Sequence, residues 1–183
     1  MDTARPNTAQ HPQHPYLAEF RRSLGLAATG SSLWITRERP KIDRIACPWM
    51  VRRFIDPSAV FLYAPTPEVL QIAGKHGAIA YDIPGGAISH DGDLCSFDVL
   101  MREFDLRDPA LVALATIVRG ADTDRHELAP ECAGLLAVSL GLGRLFDNDT
   151  ELLEHGMIVY DALHAWCRDA RGETHTWNPG ATQ

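Results

Sequence analysis

Residues 39–57 read RPKIDRIACPWMVRRFIDP, a short stretch that combines a thiol, a proline, a tryptophan and four arginines. Proline lacks a backbone N–H and fits the first turn of a helix, so the spacing predicts a helix that starts at Pro48. Cys47 then lies at or beside the N-cap, and Asp56 with Pro57 ends the helix. The helical spacing assigns four apolar residues to the core-facing side: Met50, Val51, Phe54 and Ile55.

Cys47 has two interpretations. A thiol at a helix N-terminus is close to free N–H groups and nearby arginines, which makes Cys47 a candidate catalytic thiolate. The same environment could hold an oxyanion, and the candidate anion-binding residues are Arg44, Arg52, Arg53 and Arg119. In the alternative interpretation Cys47 is a small buried apolar residue and the arginines form a solvated face.

Strand and helix patterns alternate on both sides of this stretch. Short runs of strand-forming residues at 33–36, 60–63 and 78–81 enclose the predicted helix at Pro48 and a second helix at 66–75. This order predicts a small, mostly parallel, three-stranded βαβαβ sheet. Four helices should follow from Ser96 onward and pack on the sheet. The fold class is therefore α/β to α+β and helix-rich.

The chain has 183 residues, of which 45% are hydrophobic, and this is enough for one good core. We expect a single domain at residues 31–170. Residues 1–30 show little periodicity apart from a short helical pattern around Phe20, and they are predicted to form a flexible N-terminal tail. Residues 171–183 are predicted to form a flexible C-terminal tail.

The charge and the cysteines exclude several classes of protein. A net charge of -7 argues against nucleic-acid binding across the whole chain. The four cysteines form no CxxC pair and no signal peptide is visible, so we expect a cytoplasmic protein with reduced thiols. No apolar run is long enough to cross a bilayer, and no membrane partner is expected.

Two polar clusters could carry metal chemistry. Residues 89–95 read SHDGDLC, and His90 lies there between a Gly-rich turn and a helix, where rigid flanks could aim its side chain. Residues 119–127 read RGADTDRHE, in which Asp122, Asp124 and Glu127 offer oxygen ligands. We predict that these four residues bind one divalent transition metal ion. A solvated acidic loop and an arginine–aspartate network between helices are the alternatives.

The segment WITRERPKIDRIACPW at residues 34–49 resembles the C-terminal domain of the chromate resistance protein ChrB family. Further matches occur at 54–57, 89–98, 119–123 and 157–163, so the resemblance spans most of the chain. It implies a role in chromate or oxidative-stress response. Longer members of the family carry an additional N-terminal region, whereas about thirty residues precede the domain here. That length is too short for a DNA-binding fold, and no direct nucleic-acid binding is expected.

Two functional hypotheses follow. The first is a sensor or accessory domain that binds a metal ion or an oxyanion such as chromate. The second is a metal-dependent or thiol-based redox enzyme of unknown substrate, and a purely structural partner domain is a third. A homodimer remains open. The functional hypotheses require that the regions around Cys47, His90 and Asp122 meet in one charged pocket.

Overall fold

The computed structural model describes residues 11–174. Its sheet has three parallel strands, β1 at Leu33–Arg37, β2 at Val60–Ala64 and β3 at Ile79–Ala80, in the order β2-β1-β3. In register, Leu33 pairs with Val60 and Trp34 pairs with Ile79. The predicted small parallel sheet is confirmed.

Within residues 11–174, seven α-helices pack around this sheet, and the four that follow it in the chain agree with the prediction. They are α1 at Leu17–Ser23, α2 at Asp43–Met50, α3 at Val69–His76, α4 at Ser96–Glu103, α5 at Pro109–Asp122, α6 at Cys132–Leu145 and α7 at Asp149–Ala165. The π-helical turns Val51–Ile55 and Trp166–Ala170 extend α2 and α7. Two 3₁₀ turns, Thr66–Glu68 and His126–Leu128, precede α3 and α6.

The start of α2 corrects the prediction. The helix starts at Asp43, and Pro48 lies inside it. A proline inside a helix leaves the carbonyl four residues earlier without its usual N–H partner. Here that carbonyl belongs to Arg44, and the Tyr81 hydroxyl donates a hydrogen bond to it at 3.3 Å. Tyr81, which directly follows β3, thus gives this carbonyl a partner although the helix continues through the proline. Cys47 lies in the interior of the helix and not at its N-terminus.

The two faces of the sheet contact separate apolar clusters. The alternation of side chains along β1 places Trp34 in the main core and Ile35 in a smaller cluster under α3. The main core also contains Met50, Val51 and Ile55, as their spacing predicted. The other helices pack on the Trp34 face, where α2 contacts α4, α5 and α7.

Part of the expected N-terminal tail is packed. Leu17 in α1 is buried in the main core, and Phe20 packs against it. The His14 N–H donates to the Ile55 carbonyl at 2.7 Å. These contacts correct the prediction of a flexible tail for residues 14–26, because apolar side chains on one helical face are enough to dock a two-turn helix. Residues 1–10 and 175–183 of the predicted tails lie outside the described residues.

Within residues 11–174, every helix is too short or too polar to cross a lipid bilayer.

Candidate metal centre

The candidate site lies at the carboxyl ends of the strands. In the sheet, β1 lies between β2 and β3. The chain passes from β1 to β2 on one side and then crosses to β3 on the other side, so the connections at the ends of the neighbouring strands β1 and β3 diverge. Open parallel sheets bind ligands at such a point, outside the carboxyl ends of the strands. Arg37 is the last residue of β1, and Asp82 lies just beyond β3. Their side chains form an ion pair with Arg37 Nη2 2.9 Å from Asp82 Oδ2.

Asp43 brings a carboxylate into the interior as the first residue of α2, and its exposed fraction is 0%. Its Oδ2 accepts hydrogen bonds from the backbone N–H groups of Ser96 at 2.5 Å and Phe97 at 3.3 Å. These are free N–H groups at the N-terminus of α4, where a negative charge is favoured. Its other oxygen, Oδ1, is buried with no hydrogen-bond partner among residues 11–174.

His90 faces this carboxylate from the loop between β3 and α4. Its Nε2 lies 3.1 Å from Asp122 Oδ2 and 3.7 Å from Asp43 Oδ2. The loop is fixed next to His90 by the ion pair between Asp91 and Arg102 of α4, at 2.8 Å. The imidazole is therefore held beside two carboxylates that come from different helices.

Asp122 completes the group as the last residue of α5. The donor atoms of Asp43, His90 and Asp122 all lie within 4.8 Å of one another. Zinc and similar ions bind imidazole nitrogen and carboxylate oxygen at about 2.0–2.2 Å, so one ion can reach all three donors after small side-chain adjustments. The three residues are far apart in sequence, and three separate elements bring them together.

Asp82 supports the site without being free to act as a ligand. Its Oδ2 lies 2.9 Å from Arg37 and 3.4 Å from Arg44 Nε. Its Oδ1 accepts a hydrogen bond from the Ser96 hydroxyl at 2.9 Å and lies 3.5 Å from His90 Nε2. Two arginines therefore face Asp82, whereas among residues 11–174 no arginine or lysine lies within ion-pair distance of Asp43 or Asp122.

The crowding of carboxylates changes their protonation. Burial, followed by the charges of Asp122 and Asp82, raises the pKa of Asp43 well above its usual value. Burial and the charge of Asp82 also raise the pKa of Asp122, although His90 opposes this shift. Without a compensating cation the cluster favours bound protons, and a metal ion in their place would relieve the repulsion.

The backbone is strained on two sides of the site. Ile42, just before Asp43, has a φ of 29°, and Asp82 has a φ of 48°. Positive φ is a genuine outlier for a β-branched residue, and such strain is found most often at functional sites. Ile42 is held by buried partners, since its N–H donates to the Ser139 hydroxyl at 3.0 Å and its carbonyl accepts from Tyr160 at 3.0 Å. These contacts fix the position of the neighbouring Asp43.

The structure brings together only two of the four predicted metal ligands, His90 and Asp122. Asp124 lies 3.7 Å from His126, and Glu127 lies 3.4 Å from Arg125. Both belong to the turns after α5, and neither joins the cluster. Asp43 was not among the predicted ligands, because its local sequence shows no more than an acid at the junction between a strand and a helix.

The predicted anion-binding arginines are dispersed. Arg44 lines the cavity beside His90, and the other three are not among the residues that line it. Arg52 pairs with Glu154 at 2.6 Å, and Arg53 donates two hydrogen bonds to Asp161. Arg119 lies 3.6 Å from Asp98. The ion pairs of these three arginines involve acidic residues outside the cluster, so the four arginines do not form one positive wall.

Cys47 does not have the environment of a reactive thiol. Its exposed fraction is 1%. Burial, together with the nearby charge of Asp43, raises its pKa well above the usual value for a thiol. A protonated, inaccessible sulfur is a poor nucleophile. The placement agrees with the alternative interpretation of Cys47 as a small core residue.

Comparison with known proteins is consistent with the sequence resemblance. The family model described as "ChrB, C-terminal domain" matches residues 34–167, and the chain belongs to this family. Asp43, Asp82, His90 and Asp122 all lie within the matched region.

Among curated proteins, the chain is similar to "Protein ChrB" of Cupriavidus metallidurans strain CH34, with 36% identity over 132 residues. The matched region is 72% of this chain but only 39% of that relative. The chain therefore corresponds to well under half of the relative's length. No solved structure matches the chain.

Proposed function

We propose that this protein is a metal-binding sensor or accessory domain with a role related to chromate resistance, in which Asp43, His90 and Asp122 hold one divalent transition metal ion. Membership of the ChrB C-terminal domain family supports the chromate-related role. One observation carries the metal proposal: three donor atoms from three elements converge within 4.8 Å, and one of them belongs to a fully buried carboxylate.

The energetics of Asp43 support a bound cation. Burying a charge is costly unless it is paired, and an unsatisfied buried polar atom costs about 1–3 kcal/mol. Two N–H groups satisfy Oδ2 of Asp43, but Oδ1 has no partner among the described residues. A metal ion would compensate the charges of Asp43 and Asp122 together. Its presence would explain why the carboxylate of Asp43 is fully buried.

The mixture of donors indicates the class of metal. One imidazole and two carboxylates form a donor set of intermediate hardness. Such a set suits zinc, manganese or ferrous iron better than calcium or copper(I). Three protein ligands leave at least one coordination position open, as in sites where a metal ion meets another molecule. A cavity of about 410 Å³ adjoins His90 and Asp122. That open position also keeps a metal-dependent enzyme as the second candidate function.

The thiol-based alternative has less support. All four cysteines are buried and none forms a disulfide. Burial raises the pKa of each of them. A redox cycle through Cys47 would first require the helix α2 to leave the core. We therefore do not propose a role for this thiol in catalysis.

Elemental analysis of the purified protein, followed by zinc and manganese titration of the chelator-treated protein, tests the metal proposal. We expect about one ion per chain and about a tenfold or greater loss of affinity in His90→Ala and in Asp122→Asn, since each removes one of three ligands. The matched controls are His76→Ala and Asp124→Asn, which change the same residue types outside the cluster. If the parent protein binds no ion, or if Asp124→Asn weakens binding as much as Asp122→Asn, the proposal is wrong.

A further inference from the structure

A second cavity adjoins the one beside the candidate metal centre. The first cavity, of about 410 Å³, is lined by Arg37, Arg44, Asp82, His90 and Asp122, among others. The second, of about 280 Å³, is lined mainly by residues before α2 and at the end of α6. Lys41 and Leu140 line both. The two cavities therefore adjoin at these residues. We name the surface that they form together the 41–144 groove, after Lys41 and Arg144, and its size is that of a small-molecule site.

Most arginines among residues 11–174 are paired with acidic residues. At the end of the groove away from His90, two cationic side chains are not. Lys41 and Arg144 both line the second cavity, and neither has a carboxylate within ion-pair distance in the part of the chain that the structure describes. Both side chains are exposed. In a chain with a net charge of -7, two unpaired cations at one cavity mark a local excess of positive charge.

Arg39 fixes the wall of this second cavity. Its guanidinium donates to the carbonyls of Gly143, Phe146 and Asp147 at the C-terminal end of α6. Its backbone N–H donates to the Asp149 carboxylate at 3.1 Å. These bonds tie the segment that carries Lys41 to the end of α6 that carries Arg144. The backbone segments that carry Lys41 and Arg144 are therefore held next to each other.

The charges along the groove determine what can bind there. At the His90 end, the three carboxylates of Asp43, Asp82 and Asp122 outnumber the two guanidinium groups of Arg37 and Arg44 by one. A divalent ion would reverse the sign of the charge at this end, and Lys41 and Arg144 would remain without a carboxylate partner among the described residues. The loaded groove would then carry a metal ion with an open position at one end and two cations at the other. Because its positive groups lie at two ends, the metal-loaded groove fits an anion with two separated oxygen-bearing groups better than it fits a single tetrahedral oxyanion.

We propose that the 41–144 groove binds a small phosphorylated carboxylic acid, whose carboxylate coordinates the metal ion and whose phosphate lies between Lys41 and Arg144. This inference rests on the proposed metal centre and adds the class of ligand that meets it. Phosphate favours a pair of positive side chains, and a carboxylate oxygen is a suitable ligand for the same class of metal.

Calorimetric titration with 2-phosphoglycolate tests this proposal, with glycolate and inorganic phosphate as probes of the two halves. The metal-loaded protein should bind 2-phosphoglycolate at least about tenfold more tightly than either half, because the two halves are linked. The double variant Lys41→Ala/Arg144→Ala should lose this gain and keep its metal content. The control double variant Arg22→Ala/Lys75→Ala removes two other exposed cations without an acidic partner among the described residues, and it should bind as the parent does.

Metal content measured on the same samples separates the two possible failures. A protein that binds no metal overturns both the metal centre and the groove. A protein that binds one ion but shows equal affinity for the three probes overturns the groove alone. The same holds if the double variant at Lys41 and Arg144 binds 2-phosphoglycolate as tightly as the control.

Discussion

Asp43 illustrates how one residue can be decisive and still be invisible in the sequence. Its carboxylate is fully buried and accepts hydrogen bonds from two backbone N–H groups of α4. These donors lie more than fifty positions after Asp43 in the chain. No periodic pattern around Asp43 indicates this contact, because the donors belong to another element. His90 and Asp122 were predictable because each lies in a polar cluster at the end of an apolar segment.

Asp56 is a second buried carboxylate, with a structural role. Burial would raise its pKa, but hydrogen bonds from Ser32 and Ser58 outweigh burial and lower the pKa below its usual value of 3.8. A lowered pKa in the folded state means that the charged form stabilises the fold above about pH 4. This contribution is lost as the pH falls through the lowered pKa.

We therefore expect Asp56→Asn to lower the free energy of unfolding by about 1–3 kcal/mol near neutral pH. Urea unfolding of the parent and the variant from about pH 7 to about pH 2 measures the difference, which should shrink only in the acidic range, below the unfolded-state pKa. Asp124→Asn, with an exposed carboxylate, is the control. A difference that stays constant down to the lowest pH would contradict this assignment.

Secondary structure was largely predictable because local apolar runs and breakers fix it. The three strands and the four C-terminal helices occur where strand-forming runs, capping residues and glycines placed them. The start of α2 was wrong because Pro48 was taken as a first-turn proline. In the structure Pro48 lies inside the helix, and the carbonyl it leaves without an N–H partner accepts a hydrogen bond from the distant Tyr81 hydroxyl.

Helix α7 packs directly against α2, the helix that begins with Asp43. Gly156 of α7 packs against Ile45 of α2, and a Cβ at position 156 would lie 2.6 Å from Ile45 Cγ2. Gly156→Ala should therefore destabilise the protein by about 1–3 kcal/mol through overpacking.

Gly141→Ala in α6 is the matched control, because a Cβ there would meet no atom within 4 Å. This change should leave stability unchanged or raise it by up to about 1 kcal/mol, since alanine favours a helix over glycine. Thermal and urea unfolding of the two variants measure the contrast. Equal stability of the two would show that α2 and α7 are less closely packed than described.

The molecule as a whole buries all of its thiols. The exposed fraction is 8% for Cys167 and at most 1% for the other three cysteines. In the folded protein at about pH 8, iodoacetamide should modify Cys47 at least about a hundredfold more slowly than in urea, because labelling requires local unfolding. Cys167 should react first. Mass spectrometry of timed samples measures the order, and rapid labelling of Cys47 would restore the thiol hypothesis.

The sequence by itself determined the family, the parallel sheet with its helices, and two of the three candidate metal ligands. These features depend on local patterns and on a long family-specific segment. Only the tertiary structure decided that Asp43 joins His90 and Asp122, that Cys47 is buried, and that the arginines at 44, 52, 53 and 119 are dispersed. The physical reason is that a binding site depends on distances between elements, whereas a sequence pattern reports which face of its own helix or strand a residue occupies.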